Sequence, residues 1–414
     1  MRPVVSAIAL LVCAASTALA QQPDGDTRES SLLTTAGISG SIRGAYWSSS
    51  RSLDDDEHIA AWAVRLKAAP RLPGPVSFVL DTWAHAVTAG ADGDARVRAR
   101  EAMLKFSAGP VDVRAGRQII AWGRADGINP TDNLTPRDTT LLLPDDEDER
   151  MGTTSAVVTY FKGGLSVTGV WLPEFRAPGF AVPIPPDISV RRDDDRWPGD
   201  QWAARLDRSG GAIDWSLSLF NGRDLSPSVA TAANGFTIAH RPIRVFGGDA
   251  AATLGRVGVR AEAAYVDTDD RDGLDPLVRN PYLHVVAGLD RTWREYLNVN
   301  AQYVFRRVTG RLEATHGDPI ALINTAIWSE SNRIQHGGTL RVAHQWLRET
   351  LKGEVAAVVF AEPYALLVRS RAEYAISDRS LVSIGADMMR GDDGSAFGSL
   401  RRNSTFLTEL RWDF

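Results

Sequence analysis

Residues 116–138 read G-R-Q-I-I-A-W-G-R-A-D-G-I-N-P-T-D-N-L-T-P-R-D. Fixed charge sits here on Arg117, Arg124, Asp126, Asp132, Arg137 and Asp138. No thiol, imidazole or activated hydroxyl accompanies them, so the chemistry open to this cluster is electrostatic. Groups of fixed charge around a narrow passage select which solutes cross it. A structural role for Arg117, Asp126 and Arg137, pinning the segment to its surroundings, is compatible with that. Asn129-Pro130, Thr131-Asp132 and Thr135-Pro136 are turn formers. Ile119, Ile120, Trp122, Ile128 and Leu134 are apolar. A long loop with that much apolar content packs against something.

Catalytic constellations are absent by comparison. The 7 His are scattered, and no G-x-S-x-G, H-E-x-x-H or Walker sequence occurs. His85 and Asp81 stand at strand spacing as an acid–base pair, but a single His bonded to a neighbouring carboxylate is more often structural. No catalytic residue, cofactor or metal site is assigned. The acidic run 145–149 reads as a solvated loop segment, with a hard divalent cation the one metal its carboxylates would suit. Pro183 to Pro186 marks a stiff, extended loop. The net charge of -5 gives no footing for nucleic acid.

The elements that would position these charges alternate with period two. In 58–69, Trp62, Val64, Leu66 and Ala68 oppose Arg65 and Lys67. In 76–86, Phe78, Leu80 and Ala84 oppose Asp81 and His85. In 213–220, Trp215, Leu217 and Leu219 oppose Asp214, Ser216 and Ser218. The same holds for 257–265, 296–305 and 366–376. In 405–414, Phe406, Leu410, Trp412 and Phe414 oppose Leu407, Glu409, Arg411 and Asp413. Such alternation means strands with one oily and one polar face. A soluble sheet with one wet face alternates too, but these segments are long and numerous. A strand of roughly ten residues, tilted near 45°, crosses a bilayer.

Short connections at 72–74, 109–110, 162–164, 209–211, 254–256, 294–295, 348–349 and 377–379 alternate with long polar ones, the connection at Glu362-Pro363-Tyr364 excepted. The fold expected is all-β: a transmembrane antiparallel up-and-down β-barrel of about 18 strands, within the 16–18 that leave an aqueous channel, with the long apolar loop folded inward into its mouth. Short turns would face the periplasm. Arg65, Lys67, Asp81, Arg114, Arg205, Arg260, Glu262, Arg341, Arg369, Arg371 and Glu373 would line the lumen, because charge facing lipid costs a few kcal/mol at mid-membrane. Cross-strand ion pairing is the ordinary fate of any one of them. As a set they imply a hydrated interior.

Residues 1–20 have the features of a cleaved signal peptide: Arg2, an apolar run from Ala7 to Cys13, and an A-x-A site at Ala18 to Ala20. The mature chain would then contain no cysteine, which removes disulfides, thiolate metal sites and a Cys nucleophile. Residues 21–36 are read as a short periplasmic segment and 37–414 as the barrel, with 118–152 its constriction loop.

The last strand, with Phe406, Leu410, Trp412 and a terminal Phe414, resembles the C-terminal signature of outer-membrane barrels. The barrel-assembly machinery is the partner that resemblance implies. Gly116, Arg117, Gln118, Trp122, Gly123, Asp126, Asn129 and Pro130 resemble a stretch in porin-like outer-membrane families of proteobacteria, one of them poorly characterised. That likeness implies an outer-membrane barrel and points toward movement of apolar compounds. Two transport modes follow: a water-filled channel for small solutes, favoured by the lumen charges, and a plugged barrel for apolar compounds. A barrel-embedded hydrolase is the third reading. Membrane lipid surrounds the barrel in each case, and a homotrimer is left open.

Overall fold

The computed structural model describes residues 37–49, 58–70, 72, 74–87, 95–138, 146–179, 189–192, 200–310, 318–330 and 332–414. The expected leader, the 21–36 segment, Asp145 and Pro183 to Pro186 lie outside them.

The strands are, in chain order, β1 (Ile38–Ser49), β2 (His58–Ala68), β3 (Val76–Val87), β4 (Ala95–Ala108), β5 (Val111–Gln118), β6 (Thr153–Lys162), β7 (Leu165–Leu172) and β8 (Ser189–Arg192). There follow β9 (Gln201–Arg208), β10 (Asp214–Arg223), β11 (Ser228–Ala232), β12 (Gly235–Ala239), β13 (Pro242–Leu254), β14 (Val257–Thr268) and β15 (Tyr282–Trp293). The last are β16 (Leu297–Val308), β17 (Ile334–Trp346), β18 (Leu351–Phe360), β19 (Ala365–Ser377), β20 (Ser380–Gly391) and β21 (Thr405–Asp413). All but β8, β11 and β12 form one 18-stranded sheet, each strand antiparallel to its chain neighbour. It closes where β1 pairs with β21, Ile42 opposite Trp412. Gly40 and Phe414 exchange both backbone hydrogen bonds at 3.0 Å, so the terminal residue is zipped into the seam. Closure leaves no unpaired edge, which is what hydrocarbon demands of a sheet.

The alternation holds. Leu66, Leu104, Leu217, Leu289, Leu340, Ile384 and Leu410 stay exposed on the outside. Arg43, Asp81, Glu262, Asp387 and Glu409 are buried on the inside. A belt of exposed apolar side chains this continuous is a membrane-facing surface. Aromatic residues edge it: Trp293, Tyr296, Trp346 and Phe414 near the short-turn end, Tyr46, Trp171, Trp202 and Tyr364 near the other. No described helix is long and apolar enough to cross a membrane; the strands do it.

All eight short connections join strands at one end. Gly163 and Gly164 take φ of 57° and 78° there, the left-handed pair a two-residue hairpin needs. Arg294 and Glu295 adopt the same region without being glycine. The Glu362-Pro363-Tyr364 connection does lie at the long-loop end and is simply short, so the strand count there is unaffected. The long loops carry structure that alternation does not announce. β8, β11 and β12 make a small separate sheet, and α1 (Pro319–Ile327) starts on an Asp318 cap. Asn324 of that helix, 0% exposed, bonds the backbone of Val229 and Pro276 and ties three loops together.

Candidate pore constriction

The chain leaves the wall after β5, turns into the barrel and returns at β6. Ile120, Trp122 and Leu134 of this loop are buried against Val157, Val170, Ala203, Phe220, Val245, Ala264 and Val266, which point inward from β6, β7, β9, β10, β13 and β14. Fully burying one such side chain contributes about 1.5–3 kcal/mol. Thr135 staples the two limbs: its hydroxyl accepts from the Ile120 N–H and donates to the Ile120 carbonyl, both at 2.8 Å.

Glu262, inward on β14 and 1% exposed, receives the tip of the loop. Its carboxylate accepts the N–H groups of Arg124 (3.0 Å), Ala125 (3.1 Å) and Thr131 (2.7 Å), and the Thr131 hydroxyl (2.8 Å). Both limbs therefore converge on one side chain. Gly123 makes room for it: a Cβ there would stand 2.5 Å from a Glu262 oxygen, and its φ of +95° disfavours any other residue.

Beyond this latch the loop reaches strands far round the ring. Gln302 on β16 donates to the Asp126 carbonyl at 2.6 Å and accepts its N–H at 3.4 Å. The Asp126 carboxylate stands 3.6 Å from Arg341 on β17, which also pairs with Glu354 on β18 at 2.7 Å. Arg260 pairs with Asp290 and donates to the Arg124 carbonyl at 3.2 Å. The side chains of Asp126, Arg341 and Glu354 keep 37%, 42% and 35% exposure, whereas Asp249 under the loop keeps 0%. Water thus reaches the side of the lumen between the loop tip and β17–β18.

The six charged residues of the loop divide by position. Asp126 faces the open lumen. Arg124 is half-turned to the wall and pairs with Asp249 and Asp207. Burial opposes its charge, but hydrogen bonds and the two carboxylates outweigh that and raise its pKa. Asp132 pairs with Arg150 at 2.7 Å and accepts the Trp122 N–H at 3.3 Å. Burial nonetheless pushes its carboxyl above the ordinary range, against the pull of Arg150. Arg117 is not on the loop but on β5, donating to the Ala99 carbonyl. Arg137 and Asp138 sit at the loop base, where Asp138 pairs with Arg98. Burial and the neighbouring Arg117 and Arg98 lower the pKa of Arg176 beside this base, which donates to the Gly152 carbonyl at 2.5 Å.

One residue of the acidic run departs from expectation. Asp148 is not solvated: 5% exposed, it pairs with Arg43 at 2.7 Å and with Arg65 and Arg100 at 3.3 Å. Three strands present those guanidiniums to one carboxylate, so Asp148 fastens the returning limb to the wall. Among the described residues no group of carboxylates, His or Cys is placed to hold a metal. His85 and Asp81 do not form the acid–base pair considered for them; Asp81 takes two hydrogen bonds from Arg65, at 2.9 and 2.5 Å. Elsewhere the inward charges also meet counter-charges, Arg371 and Arg369 with Asp387 at 2.6 and 3.6 Å. Glu262 was legible as inward but not as a latch. The signal that would have found it is Gly123 in W-G, a glycine in an otherwise apolar packed segment.

No family model matches the chain, and no curated protein does. Solved structures do. OccAB1 of Acinetobacter baumannii superposes with a TM-score of 0.58 at 10% identity, over 91% of this chain and 96% of that one. OccAB3 of the same organism gives 0.56 at 9% identity, over 91% and 98%. OccK11 (OpdR) of Pseudomonas aeruginosa gives 0.54 at 14% identity, over 91% and 95%. At such identities the likeness is one of fold, and it extends over nearly the whole barrel.

Proposed function

We propose that this chain is an outer-membrane channel through which small water-soluble solutes diffuse, passively or with weak binding, past the tip of the inward loop. The observation that carries this reading is how the loop divides its side chains. Ile120, Trp122 and Leu134 are spent on the wall, while Asp126 is left exposed opposite Arg341 and Glu354. Charged groups that keep water at mid-barrel suit a hydrated solute and penalise an apolar one. Both signs are present at the narrowing, so a weak ionic preference is expected. The wall supports the same reading: described strands pair with their neighbours all the way round, without a break for sideways release. Lumen residues Arg65, Lys67, Arg114, Arg205, Arg369, Arg371 and Glu373 add to the polar lining. The short turns would face the periplasm, lipid would surround the belt, and the outward Phe406, Leu410, Trp412 and Phe414 would be the surface that the assembly machinery reads.

Single-channel recording of the refolded protein in a planar bilayer, under a salt gradient, tests this. Stepwise conductance with a small reversal potential is the expected result. A barrel that inserts and is heat-modifiable on a gel, yet passes no current, would overturn it in favour of a plugged barrel for apolar compounds.

A further inference from the structure

The outer surface of the wall carries a trough of its own. It measures about 540 Å³ and crosses β17 to β21 on the lipid-facing side. Its floor is made of small residues, Gly353, Ser370 and Ala386, and Phe406 closes it toward the long-loop end. Gly353 opposes Ala372 and Ser370 opposes Ala386 in register, so small positions lie side by side on adjacent strands. The volume is in the range of clefts that take an organic ligand, about 300–1,000 Å³. Because the trough opens within the apolar belt, hydrocarbon rather than water is what meets it.

Its short-turn end is different in kind. His344 stacks on Trp346 there, ring centroids 4.3 Å apart. Leu340 and Trp346, exposed on the outside, place His344 on the same lipid-facing side. The Nδ1 of His344 is shielded and has no hydrogen-bond partner. Arg348 follows in the exposed turn two residues beyond Trp346. Amphipathic rings of this sort sit at headgroup level. An apolar channel ending at an imidazole and an exposed turn that carries Arg348 beside Glu349 suits an amphiphile whose phosphate head can take a hydrogen bond and an arginine.

We propose that this trough binds one phospholipid of the leaflet at the short-turn end, an acyl chain lying over Gly353, Ser370 and Ala386 and the phosphate meeting His344 and Arg348. The proposal rests on the barrel spanning the membrane and not on what passes through it. Native mass spectrometry of the protein extracted from membranes in mild detergent tests it. The wild type should retain a phospholipid through detergent exchange, whereas Ser370→Trp and Ala386→Trp, which fill the trough, should lose it while remaining heat-modifiable and conducting as before. Arg348→Glu lies in an exposed turn outside the sheet. It should abolish the preference for anionic over neutral phospholipid when lipid is added back, so the test survives if the Trp variants fail to assemble. No retained lipid on the wild type, equal retention by the Trp variants, or an unchanged lipid preference in Arg348→Glu would overturn it. Disulfide-linked copies formed in the membrane by Ser370→Cys would assign the trough to a second copy and overturn it as well.

Discussion

From β6 to β14 the inner wall carries Val157, Val170, Ala203, Phe220, Val245 and Ala264, and the long loop lies against them. From β17 through the seam to β3 the same inward positions hold Arg341, Glu354, Arg371, Asp387, Arg43, Arg65 and Asp81, each met by an opposite charge. Both regions alternate with period two, and both turn lipophilic side chains outward. What differs is the partner across the lumen. Where Ile120, Trp122 and Leu134 pack on the wall, its inward face is largely apolar and its buried charges, Glu262 and Asp249, are taken up by the loop itself. Beyond a small apolar cluster of Ala45, Trp47, Ile59, Ala61 and Leu407 at the seam, the other side meets water or counter-charge and is ionic. Inward in a barrel of this width is therefore not one environment but two.

The contrast can be broken most severely at Trp122. Trp122→Ala should remove about 3–5 kcal/mol of loop docking and raise single-channel conductance well above wild type, with larger neutral solutes admitted in liposome swelling. Unchanged conductance would mean that the loop does not narrow the pore. Glu262→Gln comes next. An amide cannot accept at both oxygens, so at least one loop N–H loses its partner, at about 1–3 kcal/mol. The expected readout is a noisier open state switching between two conductance levels, and a quiet single level would dismiss the latch. Asp126→Asn should leave conductance close to wild type and shift the reversal potential toward anions, since it removes one exposed negative charge from the narrowing while Gln302 still holds the backbone. A shift toward cations would contradict the placement of Asp126. Arg401→Ala, which breaks an exposed pair with Asp393 outside both regions, should change stability by less than about 1 kcal/mol and channel behaviour not at all.

Strand number, direction and facing could be read from the sequence because a period of two leaves its mark on every strand, and Leu217 or Leu410 must be outward if Ser216 or Glu409 is inward. The loop's inward fold was legible for a related reason, since Trp122 and Leu134 had to be buried somewhere. Its attachment was not. Glu262 is held by backbone amides of residues more than a hundred positions away, and a backbone amide has no residue type to recognise. Asp148 misleads for the opposite cause: within an acidic run it looks solvated, and its burial depends on Arg43, Arg65 and Arg100, which come together only when β1, β2 and β4 are side by side. The helix and small sheet of the outer loops escaped because their segments are too short to set up a period.

The latch also has a consequence for the order of assembly. The loop is made before β14, β16 and β17, yet Glu262, Gln302 and Arg341 belong to those strands. Contacts of such long sequence separation form late, since much of the chain must be arranged before they can be made. From whichever end the barrel grows, the loop tip has nowhere to fasten until β14, β16 and β17 stand across the lumen from β5 and β6. The narrowing is thus among the last features to form, and a barrel halted short of closure would be wider, and leakier, than the finished one.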